Sequence, residues 1–179
     1  MKVIETALPG VLVIEPQVFP DARGHFMELW NERRFRAIGI DTPFVQDNLS
    51  RSVRHVVRGL HYQLRQPQAK LVRCIVGAIH DVVVDMRRSS PTFGRTLSTE
   101  LSADNRRMLW VPVGFAHGFM TLSDVAEVFY KVSDFWSPEA ERTVLWNDPE
   151  LAIDWPACAT PIVSAKDAAG LRFRDAESF

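Results

Sequence analysis

A chain of 179 residues with 46% apolar content can bury a real core without disulfide or metal staples, so one compact domain spanning residues 1–179 is expected. Its formal charge of -1 excludes a global field that would draw nucleic acid or an anionic membrane, and any anionic ligand must be met by local arginines. The 2 cysteines, Cys74 and Cys158, lie far apart without metal-ligand spacing, and no stretch approaches the ~18 apolar residues of a spanning helix, so a soluble protein in a reducing cytoplasm is expected.

The elements read mostly as β-strands. Strands are predicted over residues 10–14 and 24–30, each bounded by glycine, proline or aspartate turn signals. Residues 31–39 are the exception: Asn31 can cap, Glu32-Arg33-Arg34 supply a polar turn, Phe35 and Ile38 face inward, and Gly39 stops the helix. A strand over 57–64 follows, and the β-branched run over 71–86 reads as two strands or one bent strand around Gly77-Ala78. Alternation along that run would put Arg73, Asp81 and Asp85 on one face. Further strands are predicted over 96–101, 107–111, 117–122 and 126–132. After Trp136, Ser137-Pro138, Asp148-Pro149, Trp155-Pro156 and Thr160-Pro161 punctuate the sequence, so the last segment should drape over the β core. Many short, closely spaced strands point to a mainly β double-sheet jelly roll with a few short helices, its mouth holding the ligand.

Polar chemistry concentrates between Gln46 and Lys70: Gln46-Asp47-Asn48, Arg58-Gly59-Leu60-His61-Tyr62-Gln63, then Lys70 at the head of an apolar run. Many jelly-roll enzymes hold a transition metal through histidines alternating on one strand. The 5 histidines here are His25, His55, His61, His80 and His117, and none stands two residues from another. Gln63 occupies the place where a partner of His61 would sit, and an amide is a poor substitute for imidazole, so no metal is expected. Acid/base chemistry is the better reading, although each residue also has a structural one. His61 can be a hydrogen-bonded core histidine, and Tyr130 a buried phenol with its hydroxyl satisfied. Asp167 can cap a short terminal helix, and Arg58 can pair with a surface carboxylate. Lys70 is harder to set aside, because an ammonium in an apolar strand is costly unless it faces a polar cavity or solvent. Composition and periodicity stop at a β domain with a polar pocket.

The motifs taken together go further. Asp21-Ala22-Arg23-Gly24-His25-Phe26-Met27-Glu28, Gln46-Asp47-Asn48, Val57-Arg58-Gly59-Leu60-His61-Tyr62-Gln63, Lys70-Leu71-Val72-Arg73, Ser90-Pro91-Thr92-Phe93-Gly94, Gly114-Phe115-Ala116-His117-Gly118-Phe119 and Ser164-Ala165-Lys166-Asp167-Ala168-Ala169 resemble, in order and spacing, the dTDP-4-dehydrorhamnose 3,5-epimerase family. The resemblance implies a cupin-type jelly roll, a homodimer, no metal and no redox cofactor. It implies a dTDP-4-dehydro-6-deoxy-glucose substrate on the route to dTDP-L-rhamnose.

That reaction gives the polar residues roles. Carbons 3 and 5 of the sugar flank the 4-keto group, so losing a proton from either leaves an enolate whose charge rests on one oxygen. A base working near neutrality must be largely unprotonated yet strong, which suits an imidazole with its reference pKa of about 6.5. By resemblance His61 is that base, Asp167 its acceptor, Lys70 the cation facing the enolate oxygen, and Tyr130 the acid on the opposite face. Arg58 and Arg23 match positions that meet the diphosphate or adjoining sugar. Gln46 and Asn48 offer amides to the thymine edge, while Phe26 offers a stacking face and Glu28 an acceptor. His117 matches a pocket-lining histidine, and Glu141 and Lys166 complete the implied binding set. The N-terminal segment is expected to cross to the partner of the dimer. Trp136 stands where the family often has a second tyrosine, which keeps the apolar face and loses the phenol, and Leu49 falls where relatives often carry a polar residue. An enzyme that inverts only one carbon of a related dTDP-4-keto sugar would carry the same residues. A non-catalytic sugar-nucleotide binder or metal-dependent cupin fits the complete acid/base set less well.

Overall fold

The computed structural model describes residues 1–179. Its strands are β1 (Lys2–Glu5), β2 (Leu12–Glu15), β3 (Val18–Asp21), β4 (Gly24–Met27), β5 (Gln46–Val53), β6 (Val56–Gln63), β7 (Lys70–Val76), β8 (Ala78–Asp85), β9 (Thr96–Ser102), β10 (Met108–Val111), β11 (Phe115–Thr121), β12 (Val125–Val132), β13 (Glu141–Thr143) and β14 (Ile162–Val163). Two short helices, α1 (Glu32–Arg36) and α2 (Ala165–Ala168), and a 3-10 turn at Phe173–Asp175 complete the chain. One sheet runs β1-β2-β10-β7-β12-β5 and the other β13-β6-β11-β8-β9, with β14 added parallel to β6. The two sheets face one another as the jelly roll read from the sequence, while β3 and β4 form a separate hairpin.

Alternation decides what each strand buries. Val72 and Cys74 of β7, Ala126 and Val128 of β12, Ile79 and Val83 of β8, and Phe115 and Phe119 of β11 meet in the core between the sheets. The outer face of the first sheet, through Leu71, Met108 and Trp110, is covered by Phe35 of α1 with Trp30 and Phe44. The outer face of the second, through Leu60, Tyr62, Val82 and Val84, is covered by Val144, Leu151, Phe173 and Ala176. The draping of the segment after Trp136 is thus a packing layer. Asn31 caps α1 as expected, its side chain accepting from the Arg34 amide at 3.3 Å.

The run over 71–86 is two strands, and Gly77 carries the chain from one sheet into the other. Gly77 has φ +72°, and a Cβ there would lie 2.1 Å from both Ser123 Oγ and Val125 O, so only glycine fits the corner. This corner overturns the expectation that Arg73, Asp81 and Asp85 share a face. Arg73 belongs to β7 and lies among Leu71 and Met108 outside the first sheet, whereas Asp81 and Asp85 lie on β8 in the second. Several strands went unforeseen, including β1, β3 and all eight residues of β5.

Asp85 anchors the turn after β8. Its fully buried carboxylate accepts from the Arg87 amide at 2.9 Å, Arg87 Nη2 at 2.7 Å, Ser90 Oγ at 2.7 Å and Thr92 Oγ1 at 2.6 Å. Burial alone would raise its pKa, but the bonds from Arg87, Thr92 and Ser90 outweigh it and bring the carboxyl to about 2. A carboxylate depressed on folding stabilises above its ordinary 3.8, and that contribution disappears as pH falls towards about 2. We predict that Asp85→Asn costs about 3 kcal/mol in urea denaturation at neutral pH, because the half-buried Arg87 guanidinium loses its counter-charge and an amide cannot accept all the bonds converging on this buried position. Between pH about 4 and 2 the variant should lose about 2 kcal/mol less than the native chain, and parallel acid profiles would refute the assignment.

Candidate active site

Strands of both sheets supply a cavity of about 720 Å³ at one end of the sandwich. β6 brings Arg58, His61 and Gln63, β7 begins at Lys70, β11 brings His117, and β12 brings Tyr130. Strand pairing sets them in register: His61 opposite His117, Tyr130 between Asn48 and Val72, and Lys70 opposite Val132. β14 lies parallel to β6 with Val163 opposite Val57, and so delivers α2 and Asp167 to the same end.

Asp167 does not cap α2. Ser164 does, accepting from the Asp167 amide at 3.1 Å. The buried Asp167 carboxylate turns inward, where Oδ1 lies 2.6 Å from His61 Nε2 and Oδ2 accepts from the Gly59 amide at 3.3 Å. Burial works to raise this carboxyl, yet the hydrogen bond and charge of His61, with the Gly59 amide and Ser164, hold it below its ordinary value. An ionised acceptor on Nε2 places the shared proton there and leaves Nδ1 as the free nitrogen of a neutral ring.

Lys70 is buried rather than exposed at its strand start, with Nζ donating to His61 O at 3.3 Å. Desolvation pulls its ammonium down to about 8, against the opposing charges of Glu141 and Asp81. Tyr130 lines the cavity with no protein partner on its hydroxyl. Burial raises its pKa, Arg58 opposes and Glu141 assists, so the phenol is protonated near neutrality. His117 is held through Nε2 by the fully buried Asp81, at 3.0 and 2.9 Å from the two carboxylate oxygens.

The binding candidates divide. Gln46, Asn48, Arg58, His117, Trp136, Glu141 and Lys166 all line the cavity. Arg58 is bonded to Ser52 Oγ at 2.9 Å and has no carboxylate partner, which leaves its charge available. Gln46 Nε2 donates to Asn48 Oδ1 at 2.8 Å, and Glu141 pairs with Lys166 across the mouth. Arg23, Phe26 and Glu28 are not brought there. Arg23 folds onto Asp21 at the tip of the β3–β4 hairpin, Phe26 stands 69% exposed, and Glu28 pairs with Arg34 at 3.3 Å. No group of three or more histidine, cysteine or acidic side chains converges as a metal-ligand set; His61 and His117 are each taken by a separate carboxylate. Sequence reasoning missed Ser50 and Gln68 on the wall and Asp81 behind His117. The polar alternation of 46–52 was the signal for Ser50, whereas nothing local marks Asp81 as the partner of a histidine 36 residues on.

The family model described as dTDP-4-dehydrorhamnose 3,5-epimerase matches residues 5–175. A curated dTDP-4-dehydrorhamnose 3,5-epimerase of Pseudomonas aeruginosa is 55% identical over 180 aligned residues, covering 100% of this chain and 99% of the relative. The crystal structure of the dTDP-6-deoxy-D-glucose-3,5-epimerase of Legionella pneumophila in complex with dTDP-4-keto-L-rhamnose superposes with TM-score 0.95 at 44% identity, covering 97% of this chain and 93% of that one. ChmJ, a 3'-monoepimerase of Streptomyces bikiniensis in complex with dTDP-quinovose, superposes with TM-score 0.88 at 34% identity, covering 94% and 86%.

Gly59 is the residue on which this arrangement turns. At φ +104° its Cβ would lie 2.6 Å from His117 O and 2.7 Å from Gly118 Cα, so β6 and β11 can approach only without a side chain there. We predict that Gly59→Ala costs about 3 kcal/mol in chemical denaturation. A variant as stable as the native chain would show that the close approach is not required.

Proposed function

The chain belongs to the dTDP-4-dehydrorhamnose 3,5-epimerase family, and we infer that it epimerises carbons 3 and 5 of dTDP-4-dehydro-6-deoxy-D-glucose to give dTDP-4-dehydro-L-rhamnose, the step of an isomerase in dTDP-L-rhamnose biosynthesis. The observation that carries the reading is the His61–Asp167 dyad opening onto the same cavity as Lys70 and Tyr130.

In this proposal Nδ1 of His61 takes the proton from carbon 3 or 5. The C–H electron pair becomes the C=C bond of an enolate and the ketone π pair moves to oxygen 4. Asp167 steadies the imidazolium formed, as a buried carboxylate on the far nitrogen can. Lys70 offsets the charge on oxygen 4, and its burial makes that charge effective because little water screens it. Tyr130 gives its proton to the carbon from the opposite face, which inverts the centre, and the nearby Arg58 favours the phenolate left behind. Exchange with solvent at the mouth returns a proton to Tyr130 and removes one from His61. The same groups then serve the second carbon once the ring is turned.

The nucleotide end is proposed to lie among Gln46, Asn48, Trp136 and Arg58, with Glu141 and Lys166 on the sugar or diphosphate side. Arg23, Phe26 and Glu28 join it across a homodimer in this reading, each hairpin reaching the other subunit's cavity. The exposure of Phe19 (50%), Phe26 (69%), Leu49 (60%) and Val53 (55%) supports such an interface. The proposal takes residues 1–179 as one jelly-roll domain needing no metal or redox cofactor. No helix of the chain is long and apolar enough to cross a membrane, and the unpaired Cys74 and Cys158 support a cytoplasmic setting.

Incubation with dTDP-4-keto-6-deoxyglucose in deuterated water tests the reaction: deuterium at both carbons is expected. Label at one carbon would convert the reading to a mono-epimerase like ChmJ, and no label would end it. His61→Ala should lower kcat by about 10²–10⁴-fold and abolish exchange, whereas Tyr130→Phe should lose product while retaining exchange. Lys70 must be charged to act, so kcat/KM should fall above pH about 8, and Lys70→Arg should move that limb upward. Stability runs the other way: a lysine lowered from 10.5 to about 8 on folding carries a burial penalty that is relieved as pH rises through that window. An alkaline limb unmoved in Lys70→Arg would assign it to another group.

A further inference from the structure

Gln63 lines the cavity, two residues beyond His61 on the same face of β6, yet it is only 3% exposed and its amide is used entirely on backbone. Nε2 donates to Gln66 O at 2.8 Å and Phe135 O at 3.2 Å, and Oε1 accepts from the Ser137 amide at 2.8 Å. Phe135 and Ser137 flank Trp136, so one side chain grips the chain on both sides of that indole. Gln68 adds a parallel hold, donating to Asp134 O at 2.8 Å. On its other side the Trp136 amide donates to Gln46 Oε1 at 3.1 Å, and Gln46 in turn bonds Asn48. The indole is 55% exposed at the cavity mouth and makes no hydrogen bond of its own, so its position depends on this backbone scaffold.

We propose that Gln63 is a positioning residue for the nucleotide end of the site: it sets Trp136, and through it Gln46 and Asn48, and takes no part in proton transfer. The inference rests on the epimerase reading of the cavity. Only an amide meets the geometry, because the site needs two donors and one acceptor on a single side-chain end. A carboxylate would keep the bond from Ser137 and turn its other oxygen against the carbonyls of Gln66 and Phe135. An apolar side chain of similar size would leave all three backbone groups unpaired.

The test measures dTDP affinity by calorimetry beside kcat, KM, deuterium exchange at saturating substrate and thermal stability, in the native protein, Gln63→Glu, Gln63→Leu, Trp136→Ala and both Gln63/Trp136 double variants. Dissociation constant and KM should rise together by about tenfold in either Gln63 variant, with kcat and exchange within about twofold of native. Each double variant should bind dTDP no more weakly than Trp136→Ala alone, since the two residues act as one unit. Gln63→Glu decides the matter by itself if Gln63→Leu does not fold. Additive losses, or a fall in melting temperature and kcat at unchanged dTDP affinity, would make Gln63 merely structural and overturn the proposal. A native protein that fails to bind dTDP would remove the epimerase reading, and this inference with it.

Discussion

The bond between Asp167 and His61 joins the two ends of the chain's logic. A carboxylate buried to this degree is stable only if its oxygens are occupied, and both are: one by an imidazole, one by the Gly59 amide. Both donors come from β6, so the bond ties the C-terminal segment to the second sheet. It also fixes which ring nitrogen faces the cavity. Packing, tautomer and covering of the sheet by Phe173 and Ala176 therefore hang on one pair of groups.

The interior between the sheets changes character along its length, and the strands do this in register. β7 passes from Cys74 and Val72 to Lys70, and β12 from Ala126 and Val128 to Tyr130. On β8 the same inward face carries Ile79 and Val83 in the core and Asp81 against His117. On β7 and β12 an apolar filling gives way to polar groups at the cavity end, whereas on β8 and β11 the Asp81–His117 pair sits between core residues. The desolvation that lowers Lys70 follows from that apolar filling.

Much of this was legible because apolar alternation is the dominant signal in a strand. The strands near 57–64, 96–101, 107–111 and 126–132, the corner at Gly77 and the Asn31 cap all announce themselves in this way. β5 did not, for a physical reason: its inward residues Gln46, Asn48, Ser50 and Ser52 are polar because they face the cavity and its rim, while Leu49 and Val53 point outward. A strand built for a ligand inverts the pattern that identifies strands. β13 and β14 are too short to carry any period. The candidate residues on the cavity wall are readable as motifs, and the family resemblance pairs His61 with Asp167, 106 residues away, where no local pattern could; Asp81 reaches His117 only through the β8–β11 ladder, and nothing in the sequence marks that pair. Arg23, Phe26 and Glu28 lie on or just beyond the β3–β4 hairpin, away from the cavity.

The late position of Asp167 has a consequence for how the protein comes into being. A ribosome delivers β1 to β12, and with them His61, Lys70, His117 and Tyr130, before the segment that completes the dyad has left the tunnel. Until β14 zips parallel to β6, the imidazole has no acceptor to fix its proton, and the Leu60, Tyr62, Val82 and Val84 face lacks the cover of Phe173 and Ala176. The pairing of His61 and the covering of that apolar face thus arrive together, late in synthesis. A chain cut short before residue 160 would lack the acceptor of His61 and expose apolar surface at once, a form that quality control can recognise by its surface alone.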